Sequence, residues 1–246
     1  MPRSQALAPT PPHAFKASDP IDRVVACLEA ASGAGAHWLR GYAKGKVRMD
    51  QLYRRALPWI PPGANVLDLG CGIGLLGLLL EARGLHNDTL GIEWDVAKAR
   101  FGQRLVEGRA GTRVVCGDLF QVPWPPCSMV TLLDVLHYLP AERQRALLAR
   151  IGAHLPEGGR LLLRVMDAQA GGMAILTRLA EWLAIGFRWN LAPSVHWRPL
   201  ADLRIDLAEA GFSLLPAPGL TGSMGGNQLL LCEKAARCDR GQNPSN

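Results

Sequence analysis

The feature that most constrains the fold is an apolar segment that ends in a glycine-rich turn. Residues 65–69 have the length and apolar character of a buried strand, and the apolar residues 75–83 are typical of a helix packed on a sheet. Gly70, Gly72 and Gly74 alternate between them. A strand that reverses into a helix over so few residues needs positive φ angles or close backbone approach, which glycine allows at low steric cost. The stretch therefore predicts a strand–turn–helix unit, with N–H groups of the helix N-terminus facing whatever lies over the turn.

The spacing of the glycines helps to distinguish a dinucleotide ligand from one that carries positively charged groups. In dinucleotide-binding folds the turn reads G-x-G-x-x-G, but Leu75 occupies the sixth position counted from Gly70. The pattern here is D-x-G-x-G-x-G, with Asp68 ahead of the glycines. A carboxylate repels a pyrophosphate and attracts a ligand that carries ammonium and sulfonium groups. A dehydrogenase that binds NAD is therefore disfavoured, although it would share the same general fold.

The run VLDLGCGIG at residues 66–74 resembles the first motif of the class I S-adenosylmethionine (SAM) dependent methyltransferases. The resemblance extends over about residues 60–235. It implies a Rossmann-like α/β fold, with a seven-stranded, mostly parallel sheet, an antiparallel final strand, helices on both faces and a helical N-terminal preface. It also implies SAM as the cofactor and S-adenosylhomocysteine (SAH) as the product.

The resemblance assigns cofactor contacts to the ends of successive predicted strands. Asp68 and the glycine turn would hold the methionine portion of SAM, and Asp134 would lie near it. Glu93 ends the second strand, where an acidic residue about 20 residues beyond the turn accepts hydrogen bonds from ribose hydroxyls. Trp94 is expected against the adenine, and residues 118–119 would meet its amino group and a ring nitrogen. The expected cofactor-binding residues are Asp68, Gly70, Cys71, Gly72, Gly74, Glu93, Trp94, Asp118, Leu119 and Asp134.

Fewer residues in the sequence indicate where the methyl acceptor would bind. His137 follows the fourth predicted strand, near the expected place of methyl transfer, and histidine titrates in the range that suits a general base. A purely structural role for this histidine is the alternative. In the preface, Tyr42, Lys46 and Arg48 are polar residues that could meet a carboxylate or a substrate. The candidate substrate residues are Tyr42, Arg48, Tyr138, His196 and Trp197.

Proline content and helical periodicity divide the chain. Residues 1–18 are rich in proline and alanine and predict a disordered tail, and the polar residues 236–246 predict a second one. Residues 19–60 predict a helical cap, and residues 61–235 predict the methyltransferase core. Within that core, the apolar, tryptophan-containing segment 170–199 is expected to build an acceptor pocket or a lid.

Composition restricts the compartment and the partners. The six cysteines form no C-x-x-C pair and no zinc-type cluster with histidine, which predicts reduced thiols, a cytoplasmic protein and no metal. No apolar run reaches about 18 residues, so no membrane-spanning helix is expected. The net charge is +6, but the basic residues are scattered, so nucleic acid is disfavoured as a partner. A homodimer is left open.

The predicted function is SAM-dependent methyl transfer to oxygen or carbon of a small, hydrophobic or aromatic acceptor. The N/D-P-P-Y/F pattern of amino-group methyltransferases is absent after the fourth strand, where residues 134–137 read Asp-Val-Leu-His. Tryptophans in the segment 170–199 favour an apolar acceptor. The alternatives are an RNA methyltransferase, supported by the basic charge, and a SAM-binding protein without turnover.

Overall fold

The computed structural model describes residues 19–31, 36–167, 195–217, 220 and 227–236. Within these ranges the helices are α1 Pro20–Ala30, α2 Ala36–Met49, α3 Leu52–Ala56, α4 Leu75–Ala82, α5 Val96–Val106, α6 Ala141–His154 and α7 Leu200–Glu209. The strands are β1 Asn65–Leu69, β2 Asp88–Glu93, β3 Thr112–Cys116, β4 Met129–Leu133, β5 Arg160–Met166, β6 Phe212–Leu214 and β7 Asn227–Lys234. Short 3-10 turns lie at Leu57–Trp59 and Leu136–Tyr138.

The strands form one sheet in the order β3-β2-β1-β4-β5-β7-β6. Strands β1 to β5 pair in parallel, whereas β7 runs antiparallel to both β5 and β6. This arrangement confirms the predicted fold class, including the antiparallel final strand. The strand order reverses at β1, which lies between β2 and β4, and ligands of open α/β sheets bind outside the carboxyl ends of the strands at such a point.

Helices cover both faces of the sheet, which explains why its central strands are apolar along their whole length. In β1, Leu67 and Leu69 are completely buried and belong to the core on the side of α6 and α7. Val66 points to the other core, which is built from α1 to α5. Both layers therefore fix β1, and with it the turn that follows.

The predicted helical preface is present as α1, α2 and α3. The side chain of Asp19 caps α1 by accepting from the Ile21 N–H, and Pro20 fits the first helical position. Helix α1 packs against α4 and α2, and Lys44 of α2 pairs with Glu29 of α1. These contacts hold α2 beside the carboxyl ends of the central strands.

Some predictions concern residues outside the described ranges. The tail at 1–18 lies there entirely, the tail at 236–246 except for residue 236, and the segment 170–199 except for residues 195–199. In the part of the chain that the structure describes, no helix is both long and apolar enough to cross a membrane.

Candidate functional site

A cavity of about 390 Å³ opens at the carboxyl ends of β1, β2, β3 and β4, with α2 and α3 contributing to its wall. Most of the sequence-predicted cofactor residues lie on this wall. The residues on it are Tyr42, Lys46, Leu52, Tyr53, Asp68, Gly70, Cys71, Gly72, Ile73, Leu75, Leu76, Ile92, Glu93, Trp94, Lys98, Gly117, Asp118, Leu119, Phe120, Leu133, Asp134, Val135, Tyr138, Leu139 and Arg143.

The three turn glycines have different surroundings, although all have positive φ angles of 73°, 60° and 80°. A Cβ atom on Gly70 would lie 2.3 Å from Cγ2 of Val135, and one on Gly74 would lie 2.9 Å from Cγ2 of Val114. A Cβ on Gly72 would meet nothing within 4 Å. Gly70 and Gly74 thus allow close packing of the turn on β3 and the β4 loop, and Gly72 leaves open space above the turn.

The N–H groups of the turn are largely used within the protein. Gly70 and Cys71 both donate to the carbonyl of Ile92, at 2.8 and 3.2 Å, and Gly74 donates to the carbonyl of Cys71 at 3.0 Å. The Gly72 N–H donates to Oε2 of Glu93 at 2.8 Å. An anionic group over the turn therefore cannot use these four amides.

Glu93 is held rigidly at the end of β2. Its side chain is 5% exposed, and its two oxygens accept from the N–H groups of Gly72 and Asp95 at 2.8 and 2.9 Å. Burial raises the pKa of this carboxyl above its usual range, against the opposing effect of these hydrogen bonds. Trp94 beside it is exposed on the wall. Two backbone N–H groups thus fix the Glu93 carboxyl group on the cavity wall.

Asp118 is an exposed member of the wall that also shapes the loop after β3. Its Oδ1 accepts from the N–H of Phe120 at 2.8 Å, which closes an Asx turn. Leu119 and Phe120 line the cavity beside it, and the Arg143 guanidinium lies 4.0 Å from the centroid of the Phe120 ring. Phe120 and Arg143 were not predicted, because no local pattern indicates that α6 reaches this loop.

Asp68 lies buried at the end of β1. Its Oδ1 accepts from the Thr131 hydroxyl of the neighbouring strand β4 at 2.6 Å. Burial raises the pKa of Asp68 to about 6, although the hydrogen bond from Thr131 opposes the shift. The carboxyl group faces the cavity, where a cation would favour its charged form.

On the opposite side, four charged residues form an ion cluster: Lys46, Asp50, Asp134 and Arg164. Oδ2 of Asp134 accepts from Lys46 Nζ at 3.0 Å and from Arg164 Nη1 at 3.3 Å, and Arg164 also pairs with Asp50. Burial disfavours the Asp134 charge, but Lys46 and Arg164 outweigh it and lower its pKa to about 2. Asp134 also has a positive φ of 62°. Asp50 and Arg164 were not predicted as site residues, because they come from distant parts of the chain.

The preface residues separate according to helical phase. Tyr42 and Lys46 are four positions apart, so they share a face of α2, and both line the cavity. Arg48 lies two positions further on, exposed and outside the cavity wall. The structure therefore does not bring Arg48 to the site. Tyr53 of α3, which was not predicted, is buried on the wall, and its burial raises the pKa of its hydroxyl.

The 3-10 turn after β4 separates His137 from its neighbour. Tyr138 lies on the cavity wall, whereas His137 is 8% exposed and lies off it, with the two ring centroids 4.2 Å apart. The His196 N–H donates to the His137 carbonyl at 2.6 Å, and its own carbonyl accepts from Gln144. His196 and Trp197 are half-buried and also lie off the wall. The described residues therefore bring Tyr138, but not these other three predicted residues, to the cavity.

Sequence comparison finds a family and partial relatives. The model of a methyltransferase domain family matches residues 36–217. The carboxy-S-adenosyl-L-methionine synthase of Chromohalobacter salexigens is 37% identical over 109 residues, which are 41% of this chain and 39% of that protein. The synthase of Geobacter sp. strain M21 is 29% identical over 114 residues, or 44% and 47% of the two chains. The chain thus spans less than half the length of these curated relatives.

Solved structures share the fold at low identity. Human N-acetylserotonin methyltransferase in complex with SAM matches with a TM-score of 0.60 and 18% identity over 81% of this chain and 55% of that one. Magnesium protoporphyrin IX methyltransferase from Synechocystis PCC 6803 with bound SAH matches with a TM-score of 0.57 and 21% identity. This match covers 89% of this chain and 95% of that one. Because the family match covers residues 36–217 and the sheet agrees with these solved structures, the chain belongs to the methyltransferase-domain family and has the Rossmann-like fold of class I SAM-dependent methyltransferases.

Proposed function

We propose that this protein is an enzyme that transfers a methyl group from SAM to a small acceptor molecule. The observation that carries the proposal is the set of groups on one cavity wall. Asp68 and Asp134 offer carboxylates to an ammonium group, Glu93 offers one to a ribose, and Asp118 lies at the β3 side for an adenine. Gly72 leaves the space over the turn open. This is the donor and acceptor set that an amino acid joined to adenosine requires.

The chain's own part in the reaction would be binding and orientation. SAM, when bound, supplies a methyl group already activated on its sulfonium. Glu93 is immobilised by two backbone N–H groups, and each of its oxygens retains a lone pair for a ribose hydroxyl. Leu133, Tyr138 and Leu139 line the cavity near Asp134, and apolar and aromatic surfaces of this kind exclude water and align reactants. No metal-holding group of three or more His, Cys, Asp or Glu side chains occurs in the described ranges.

For the acceptor, we propose a small hydrophobic or aromatic molecule that is methylated on oxygen or carbon. Tyr42 and Tyr138 support this class, because both tyrosines line the same cavity. His137 touches the ring of Tyr138 but lies off the wall. A role of His137 through Tyr138 fits this placement better than direct proton transfer from an acceptor.

A second candidate follows from the curated relatives, which are named as synthases of carboxy-SAM. In that activity SAM itself would be the molecule modified. A reaction of this kind predicts an adenosyl product heavier than SAM by one carboxylate group. Mass spectrometry of SAM incubated with the protein and a bacterial small-molecule extract distinguishes it from methyl transfer, which yields SAH.

The test of methyl transfer uses methyl-labelled SAM with three acceptor pools: small aromatic alcohols, a bacterial small-molecule extract and total RNA. Label transferred to a small molecule, with equimolar SAH and loss of transfer in Glu93→Ala, is the expected result. Label in RNA would select the RNA alternative. SAM binding with no transfer to any pool would select a binding protein without turnover.

A further inference from the structure

Lys46 occupies a special position in the cavity. Its ammonium lies 3.0 Å from Oδ2 of Asp134, and its side chain is only 21% exposed. Its charge also acts on Asp68, whose pKa it lowers against the larger effect of burial. A single ammonium group thus lies within electrostatic reach of both carboxylates that were assigned to the methionine end of the cofactor.

The cofactor's own carboxylate needs a different partner. The amides of Gly70, Cys71, Gly72 and Gly74 are all bonded within the protein. Among the described residues, the Ile73 amide, the first amides of α4 and the Lys46 ammonium are other groups near the turn that can bind an anion. A charged ammonium partner is worth more to a carboxylate than a neutral N–H group.

The other cations on the described wall are engaged elsewhere. Lys98 pairs with Asp95 at 3.8 Å on the β2 side, and the Arg143 guanidinium stacks over Phe120 on the β3 side. Arg164, which lies off this wall, is held between Asp50 and Asp134. Lys46 is therefore the wall cation best placed for an anion at the methionine end.

Resting on the proposed use of SAM, we propose that the amino-acid head of the cofactor exchanges partners with the Lys46–Asp134 pair. The cofactor ammonium takes the place of the lysine at Asp134, and the released Lys46 ammonium binds the cofactor carboxylate. One ion pair is replaced by two, and Arg164 continues to hold Asp134 through the exchange. Lys46 is then the residue that selects for a carboxylate on the ligand.

The test compares the affinities of SAM and decarboxylated SAM, which lacks only that carboxylate, by calorimetric titration. A hydrogen bond to a charged group is worth about 1.5–3 kcal/mol, so wild-type protein should prefer SAM by roughly 10- to 100-fold. In Lys46→Met the preference should fall to within about threefold, because the carboxylate loses its partner. Lys44→Met is the matched control: Lys44 lies on the same helix and also pairs with a carboxylate, Glu29, but away from the wall. It should keep the wild-type preference.

Each outcome separates the inference from the proposed function. If Lys46→Met binds SAM with the wild-type preference over decarboxylated SAM, the inference is overturned. If wild-type protein binds neither ligand, the proposed use of SAM fails. Circular dichroism melting checks that each variant is folded, and Lys46→Gln, which retains a polar side chain of similar length, replaces Lys46→Met if the latter does not fold.

Discussion

The two sides of the cavity are held in place by different kinds of bonds. On the side of β1, β2 and β3, backbone groups fix the wall: the turn amides donate to Ile92, and Glu93 accepts from Gly72 and Asp95. On the side of α2, β4 and β5, the ion cluster fixes the wall. Its members come from distant parts of the chain: Lys46 and Asp134 pair directly but are 88 residues apart.

This difference suggests different roles for the two sides. Backbone hydrogen bonds between neighbouring loops set a shape that does not depend on the charge of any side chain. Ion pairs between distant side chains depend on the charge of both members, and removing one member leaves its partner buried without compensation. We expect the first side to position the adenosine and the second to respond to the charged head of the ligand.

The largest effect should come from Gly70→Ala, which attacks the backbone-built side. The new Cβ would lie 2.3 Å from Cγ2 of Val135 at a φ of +73°. The left-handed conformation costs about 1–2 kcal/mol for a residue with a Cβ, and overpacking adds about 1–3 kcal/mol. The free energy of unfolding, measured in urea, should fall by about 2–5 kcal/mol in total.

Gly63→Ala is the control for the conformational part alone. Gly63 has a φ of +70° with nothing within 4 Å of its Cβ position, so we expect a loss of about 1–2 kcal/mol. Equal losses in the two variants would show that close packing of the turn on Val135 contributes nothing to stability.

Arg164→Met should have the next largest effect, because it removes the centre of the ion cluster. Asp50 would lose its pair, whereas Asp134 would keep Lys46. Since breaking a buried pair costs about 3–5 kcal/mol and this cluster is partly solvated, we expect the free energy of unfolding to fall by about 2–3 kcal/mol. Arg160→Met on the same strand breaks the more exposed pair with Glu233 and should cost under about 1 kcal/mol. Indistinguishable unfolding curves for the two variants would contradict a structural role for the cluster.

The pH dependence of ligand binding tests Asp68. Its pKa of about 6, raised by burial, means that the folded protein takes up a proton as the pH falls below about 6. An ammonium ligand prefers the charged carboxylate, so SAH should bind about tenfold more weakly at pH 5 than at pH 7.5. Asp134, with a pKa of about 2, stays charged and should add no dependence in this window. Calorimetry should show a weaker pH dependence for Asp68→Asn, with the remainder due to Glu93, whose pKa is also raised by burial, and an unchanged profile would remove Asp68 from the ammonium site.

The same shift has a consequence for stability. Between about pH 4 and 6 the folded state binds more protons at Asp68 than the unfolded state does, since the usual pKa is 3.8. The contribution of Asp68 to stability therefore decreases as the pH rises through this range and is constant above it. Urea unfolding of wild type and Asp68→Asn at pH 4.5 and 7 should show a smaller pH-dependent loss in the variant. An equal loss in both proteins would assign it to other groups.

The smallest effect on SAH binding should come from substitution of Asp118, because its carboxylate is exposed. Two roles of this residue must be separated: closing the turn at Phe120 and accepting a hydrogen bond from adenine. Asp118→Asn keeps an oxygen for the Phe120 N–H and so preserves the turn. If the second oxygen accepts from adenine, SAH should bind about 3- to 10-fold more weakly with unchanged stability. Wild-type affinity in Asp118→Asn, together with weak binding by Asp118→Ala, would assign Asp118 to the turn alone.

Most of the backbone-built side could be predicted from sequence, because its signals are local. Alternating glycines after an apolar strand and an acidic residue at the next strand end lie within a short stretch, and the sheet order follows from the family resemblance. The ion cluster could not be predicted, since pairing of Asp50 with Arg164 depends on how the preface meets β5. Helical phase explains why Lys46 rather than Arg48 reaches the cavity. The 3-10 turn at Leu136–Tyr138 directs the ring of Tyr138, and not that of His137, to the cavity wall. No sequence pattern predicts which of these two adjacent rings lies there.

The most direct test of the central proposal is a calorimetric titration of the purified protein with SAH and, separately, with NADH. We expect micromolar binding of SAH, weakened at least tenfold in Glu93→Ala through loss of charged hydrogen bonds to ribose, and no binding of NADH. Gly63→Ala, distant from the cavity wall, should bind SAH as wild type does. Folded, ligand-free protein that binds no SAH would contradict the proposal that this cavity is a SAM site.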